Sequence, residues 1–255
     1  MFFLRGRRRK KLLHTPLSDA QRRLLHEAAP LCRLLPEDLR ARHEGVMQVL
    51  MAEKHFEGAG GLNLTAAMEL AIAGQAALLQ LNSHADYYPG LDTVLVYPEA
   101  FVVNDAQYDD DGLLHEGEDE RAGESWQRGV VVLSWQDVDH ESRHRDGYNV
   151  VLHEFAHQLD EQDGGADGTP LLPSADMTAR WPEVFQAAFE QHQKALRRRR
   201  EVLFDADAAE SPTEFFATAV ELFFEYPADL KRAFGGVYDL LAAFFELDPA
   251  AWPGR

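Results

Sequence analysis

The chain has one cysteine, Cys32, among 255 residues. No intramolecular disulfide can form, so nothing points to an oxidising compartment. A structural zinc site built from several thiolates is excluded on the same ground. Long apolar runs are missing as well. No stretch approaches the ~18 residues of a membrane-spanning helix. Only Leu12 and Leu13 follow the basic segment Arg5–Lys11, where a secretory signal needs about 7–15 apolar residues. A cytoplasmic protein without membrane contact is the expectation. Positive charge is scarce too: 25 Lys and Arg face 43 Asp and Glu, a formal net charge of -18. Such a surface repels phosphate backbones and anionic lipid, so no direct nucleic-acid partner is expected. Two basic clusters run against this balance, Arg5–Lys11 and Arg197–Arg200. They read as part of a disordered, solvated tail over residues 1–15 and as a charged helix end, rather than as an arm for nucleic acid.

Enough apolar residues are present, 45% of the chain, for a substantial core. From Ser18 to about Lys54 the pattern is helical, with Ser18 and Asp19 as a cap and Pro36, Glu37 and Asp38 opening a second helix. Gly58, Ala59, Gly60 and Gly61 break it. Thr65–Leu81 is small-residue-rich and apolar, which predicts a buried helix whose Ala/Gly face admits a close neighbour. Asp92–Val103 and Gly129–Trp135 are β-branched runs that read as strands. Between them lies an acidic surface loop or irregular hairpin. Its Asp109–Gly112 run lacks the ligand spacing of a calcium loop. Helices follow at about 180–199, 211–225 and 228–246. The order of helices, a small sheet, then helices predicts an α+β arrangement. It reads as one domain over residues 16–255, with an N-terminal helical lobe at about 16–85 and a catalytic part at about 86–255.

The pattern His-Glu-x-x-His occurs twice. Two imidazoles at i and i+4 of a helix sit one turn apart, and the glutamate between them falls where it can handle a proton beside a metal. His140-Glu141-Ser142-Arg143-His144 lacks an apolar face and carries a guanidinium that opposes a dication, so it reads as loop. His153-Glu154-Phe155-Ala156-His157 differs. Val151, Leu152, Phe155 and Leu159 form an apolar stripe, while His153, His157 and Asp160 lie opposite. Asp146 is placed to cap this helix, Gly164 and Gly165 to end it.

A catalytic zinc takes three protein ligands and keeps one position open. No third histidine follows at short spacing, since Asp163 stands where it would fall. A glutamate from a later helix is the alternative, and Glu210–Pro227 supplies Glu214, Glu221 and Glu225. Glu214 has two readings from the residues alone. It completes a capping box with Ser211, behind Pro212 at the first helical position, or it is the third ligand. Glu221, one heptad on, is the next choice.

Four segments together are far more specific: Val96–Val103, Gly123–Trp135, Gly147–Asp160 and Ser211–Pro227. Through them nearly the whole chain resembles the Mlc titration factor A family of bacterial zinc-dependent peptidases. The resemblance implies a mostly helical zincin of the gluzincin type with a small β-sheet, similar in its core to the catalytic domain of anthrax lethal factor. It implies one zinc ion per chain held by His153, His157 and Glu214, with Glu154 as the catalytic glutamate. It also implies small peptide substrates, aminopeptidase-like activity among them, and binding to the Mlc repressor, which relieves repression of glucose uptake. One departure stands out. The family usually carries a tyrosine seven residues before the ligand glutamate, and here that position is Asp207. An aspartate repels an oxyanion that a tyrosine hydroxyl would stabilise, which leaves Tyr148 and Tyr226 as unranked substitutes. Asp160 is placed to orient a ligand imidazole, and Gly129–Trp135 to act as an edge strand for an extended peptide. The rival readings are a regulatory binding protein whose zinc is incidental to its role, and a structural domain without metal.

Overall fold

The computed structural model describes residues 2–82, 86–108, 114–121, 123–126 and 129–253. Polar side chains set where its helices begin. Ser18 accepts the Gln21 N–H and the Gln21 side chain returns to the Ser18 N–H, a reciprocal cap that starts α2 (Asp19–Ala28). Pro36 precedes α3 (Glu37–Glu53), which carries Glu37 and Asp38 in its first turn. Thr65 caps α4 (Ala66–Leu78), buried from Leu70 to Leu78 as its composition predicts. A close approach to α4 is present: a Cβ added at Gly74 would lie 2.5 Å from Leu25 Cδ1 of α2.

The N-terminal segment differs from the expected disordered tail. Phe2–Leu12 forms a helix, α1. Three of its guanidiniums find acceptors on the neighbouring elements. Arg9 pairs with Glu53 at 2.7 Å and with Asp86, Arg5 reaches Glu53 at 2.9 Å, and Arg8 donates to the Ala52 carbonyl. Gly45 of α3 lets the chain after α1 pass closely, since a Cβ there would meet the Leu13 carbonyl oxygen at 2.3 Å.

Four strands form one sheet in the order β1-β2-β6-β5. These are β1 (His55–Gly58), β2 (Thr93–Tyr97), β5 (Gly123–Trp126) and β6 (Val130–Ser134). β1, β2 and β6 run parallel and β5 runs antiparallel to β6. The strand β1 lies between the end of the helical pattern at about Lys54 and the Gly-rich break that the sequence shows. Four residues are too few to show periodicity, and α4 supplies the crossover that a parallel β1–β2 pair needs. β6 is interior, not the edge expected of Gly129–Trp135, because β5 covers its outer side. A separate antiparallel pair, β3 (Phe101–Tyr108) and β4 (Leu114–Arg121), forms where the sequence reads as a surface loop or irregular hairpin, and the one strand expected over Asp92–Val103 is two, β2 and β3. The Asp109–Gly112 run lies outside the described residues.

Helices α5 (Trp135–Arg143), α6 (Val150–Asp160), α7 (Ala175–Arg197), α8 (Pro212–Glu225), α9 (Pro227–Ala233) and α10 (Gly235–Phe245) complete the chain. α7 starts five residues before the sequence estimate, at a cap in which Ser174 accepts the Met177 N–H. The last predicted helix is two, parted at Phe234, whose backbone is not helical. Phe215, Phe216, Phe223 and Phe224 of α8 are fully buried against Trp181, Phe185 and Phe245. Aromatic burial on this scale fixes α8 as the central rod against which α6 packs.

Glu53 is held down to a pKa of about 2 by the Arg9 hydrogen bonds, which outweigh its burial, with Arg5 adding to them. A carboxylate with a depressed folded-state pKa contributes stability that is full above its ordinary value near 4.5 and is lost as pH falls through about 2. At neutral pH, Glu53→Gln removes this anchor. A hydrogen bond to a charged group contributes about 1.5–3 kcal/mol, so tryptic cleavage within Arg5–Lys11 is expected to speed up by about tenfold or more. Equal cleavage rates in wild type and variant would contradict the docking of α1.

Candidate metal centre

The first turn of α6 leaves backbone N–H groups without helical acceptors. Here they are supplied by side chains from three directions. Asn149 Oδ1 accepts the Leu152 N–H at 3.1 Å. Glu221 of α8 accepts the Asn149 N–H at 2.5 Å, and Glu141 of α5 accepts the Val150 N–H at 2.5 Å. The Asn149 side-chain amide donates to Gln75 of α4 and to Glu225 of α8. Asp146, the expected cap, instead accepts the Tyr148 N–H at 3.3 Å. An asparagine just before an apolar run is itself a cap signal, and the nearby aspartate masked it.

One turn further, the imidazoles meet the later helix. His153 Nε2 lies 3.1 Å from one carboxylate oxygen of Glu214, and His157 Nε2 lies 3.4 Å from the other. The two rings are 4.7 Å apart at 78° to each other. Of the two readings of Glu214, the capping box is only half formed: no bond from the Glu214 carboxylate back to the Ser211 N–H is present among the described residues. Its backbone N–H is capped by Ser211 Oγ at 3.1 Å, while its carboxylate faces the imidazoles. Glu221 is the second carboxylate of the site, on the far side of His153, with Oε1 at 2.8 Å from Nδ1. Glu154, next in the chain to His153, is buried at 4% exposure.

Asp160 does not orient an imidazole. It is fully buried and accepts the N–H groups of Gly168 at 2.9 Å and Thr169 at 2.7 Å. Burial raises its carboxyl pKa, and those two N–H groups together with Thr213 oppose the rise. Gly168 is the joint this arrangement needs. Its φ is +80°, and a Cβ there would lie 2.4 Å from the Pro212 carbonyl oxygen. The end of α6 is thereby tied to the start of α8, two residues before Glu214.

The other His-Glu-x-x-His segment is helical, not loop: His140 to Arg143 close α5, and His144 is its C-cap. Arg143 pairs with Asp139 at 2.7 Å, four residues back, which gives the charged run its helical turn. His144 Nδ1 sits 2.8 Å from the His140 carbonyl. Its glutamate is used structurally, as the acceptor for Val150. Among the described residues, His153, His157 and Glu214 are the group of three whose donor atoms come together, all within 4.8 Å. Of the two tyrosines, Tyr226 gives its hydroxyl proton to the Arg145 carbonyl at 2.8 Å. Tyr148 is 47% exposed; burial and the charges of Asp205, Glu221, Asp146 and Asp207 raise its pKa.

The donor set suits a borderline divalent cation such as zinc: two imidazole nitrogens and one carboxylate, on a site that already favours positive charge. Burial alone would drive the proton from His153, but Glu221 and Glu214 outweigh it and raise the pKa well above the imidazole range. His157 goes the other way, lowered to about 4 by burial and by His153, so its ring is neutral with a lone pair to donate.

A family model described as glucose-regulated metallo-peptidase M90 matches residues 3–246. An uncharacterised protein of Synechocystis sp. is 36% identical over 244 residues, covering 95% of this chain and 89% of the relative. A Mlc titration factor A of Serratia proteamaculans is 37% identical over 227 residues, covering 88% and 86%. One from Yersinia pestis is 36% identical over 231 residues, covering 89% and 85%.

Because Glu221 holds His153 from behind, Glu221→Gln is expected to lower zinc affinity by about 10–100-fold, measured by competition with a chromophoric chelator. Wild-type affinity in a folded variant would remove Glu221 from the account of the site.

Proposed function

The chain belongs to the glucose-regulated metallo-peptidase M90 family, and on that premise we propose that it is a zinc-dependent peptidase acting on small peptides. His153, His157 and Glu214 would hold one zinc ion per chain, with Glu154 as the catalytic base. The observation that carries the proposal is the convergence of the three donor side chains from two helices, within 4.8 Å. When bound, zinc supplies a Lewis acid that makes water acidic near neutral pH and polarises a carbonyl.

The chain's own residues divide the remaining work. Glu154 takes a proton from the attacking water and returns it to the leaving amine. Its burial keeps competing solvent away from that carboxylate. Glu221 fixes the ring of His153 at Nδ1, which turns Nε2 toward Glu214, where its proton would give way to a metal. Asp160 and Gly168 set the distance between the two ligand-bearing helices. Asp207, where the family has tyrosine, is exposed in a short 3-10 turn. We assign the oxyanion donor to Tyr148, because the Tyr226 hydroxyl is committed to Arg145 while Tyr148 is partly exposed and close enough to Glu221 and Asp207 to feel their charge.

The name of the Serratia and Yersinia relatives supports an extension of the proposal: a regulatory role through binding a Mlc-like transcriptional repressor of sugar uptake. The alternative is a zinc-containing protein that sequesters such a repressor without catalysis. Glu154→Gln separates the two. Under the peptidase reading it keeps zinc while hydrolysis of a peptide library falls by about 10²–10⁴. A wild type that binds zinc, holds the repressor and cleaves nothing would favour sequestration.

The tyrosine assignment has its own test. Removing one oxyanion donor costs about 10²–10³ in turnover. Tyr148→Phe is expected to show that loss at unchanged zinc content, and Tyr226→Phe to leave turnover within a few-fold. The reverse pattern would move the role to Tyr226. If neither change matters and Asp207→Tyr raises turnover, the donor is missing from this chain.

A further inference from the structure

A cavity of about 340 Å³ lies beside the end of α6, on the helix face away from the imidazoles. Leu79, Leu159, Leu172, Phe244 and Phe245 give it apolar walls. Four polar residues break that lining: Asn82, Glu246 and two glutamines. Gln80 is 1% exposed; its amide N–H reaches the Tyr88 hydroxyl oxygen, while its amide oxygen completes no hydrogen bond among the described residues. The Tyr88 hydroxyl beside it gives its proton to the Ala76 carbonyl at 2.7 Å. Gln162, on the short turn that follows α6, presents a buried Nε2 that is likewise unmatched. Buried amides without partners are costly and rare in folded proteins. Two amides with an unmatched atom on one apolar cavity are a pattern of binding sites, where a few polar groups fix the orientation of a mostly apolar ligand.

The lining defines the ligand. Gln162 Nε2 offers an N–H donor, and Gln80 Oε1 offers an acceptor. A group with a carbonyl and an N–H side by side, an amide, satisfies both kinds. The apolar walls call for a branched hydrocarbon body. The one charged lining residue, Glu246, is exposed and would repel a carboxylate. Leu171, 60% exposed at the cavity, is an apolar surface available to cover such a molecule. We propose that this cavity is a second binding site, separate from the metal centre, for a small neutral molecule with an apolar body and a secondary amide. The proposal does not depend on the peptidase reading.

N-acetyl-leucinamide is a suitable probe, since its blocked amine and neutral ends keep it from resembling a peptide terminus. Isothermal titration of the full chain is expected to show saturable binding in the millimolar range that suits so small a ligand. Gln80→Leu should weaken it by about fivefold or more, because the hydrogen bond to its oxygen is lost, while melting at or above the wild-type temperature, because an unmatched amide oxygen has gone. Gln162→Leu, at a half-buried position that tolerates change, should weaken it as well. Glu154→Gln should bind the probe as wild type does. N-acetyl-glycinamide, which lacks the apolar body, should bind more weakly than the leucine probe. Absence of saturable binding would mean that water alone fills the cavity and would overturn the proposal. So would unchanged affinity in folded Gln162→Leu, equal binding of the glycine probe, or loss of binding in Glu154→Gln, which would put the probe at the metal centre. Should Gln80→Leu fail to fold, Gln162→Leu decides.

Discussion

A single buried carboxylate organises the site. Glu221 is 4% exposed, and its two oxygens face in different directions: one accepts the Asn149 N–H at the start of α6, the other meets Nδ1 of His153. Desolvating an anion is expensive, and this one is retained because it is matched on both sides. Burial raises its pKa, while the His153 charge and the hydrogen bonds from His153 and Asn149 oppose the rise. The consequence is geometric. The same group that completes the helix start also fixes the ring of the first candidate ligand, so register and site cannot drift apart. The second tie, Asp160 to Gly168 against Pro212, clamps the other end of α6 to α8. Between these two ties stand His153, His157 and Glu214.

The duplicated motif shows how a spacing acquires meaning only from its surroundings. Both copies are helical in the fold, so helical spacing does not separate them. The copy on α5 ends a short helix with one buried apolar residue, Val138, and its histidines turn to each other, stacked at 4.4 Å. The copy on α6 is buried on nearly every side, and a third donor arrives from α8. Glu141 of the first copy has been put to use in building the second. Its carboxylate is pushed up to a pKa of about 8 by burial, with the Val150 N–H opposing and Glu221, Asp137 and Asp146 adding to the rise.

Much of this was legible in the residues. The α+β class follows from the order of periodic segments, and the family from four matched stretches. What periodicity could not reveal has physical reasons. β1 is four residues long and buried on alternate sides only in part, so its pattern is lost beside α3. α1 looks like a solvated basic tail until Glu53 and Asp86, distant in sequence, are seen to be its partners. Glu214 had two readings that compete for one side chain on paper. In the fold the carboxylate turns to the imidazoles, and only the Ser211 half of the capping box is formed. The contact with an imidazole expected of Asp160 is made by Glu221 instead, because Asp160 points to the loop over Gly168 and Thr169. Helical spacing places a residue on a face; it does not say what waits there.

The assignment of the metal ligands can be tested most directly by crystallising the purified protein and collecting diffraction on both sides of the zinc absorption edge. One anomalous peak per chain is expected, about 2.0–2.2 Å from His153 Nε2, His157 Nε2 and a Glu214 oxygen. A peak between His140 and His144, or Glu214 folded back onto Ser211 away from both imidazoles, would contradict it.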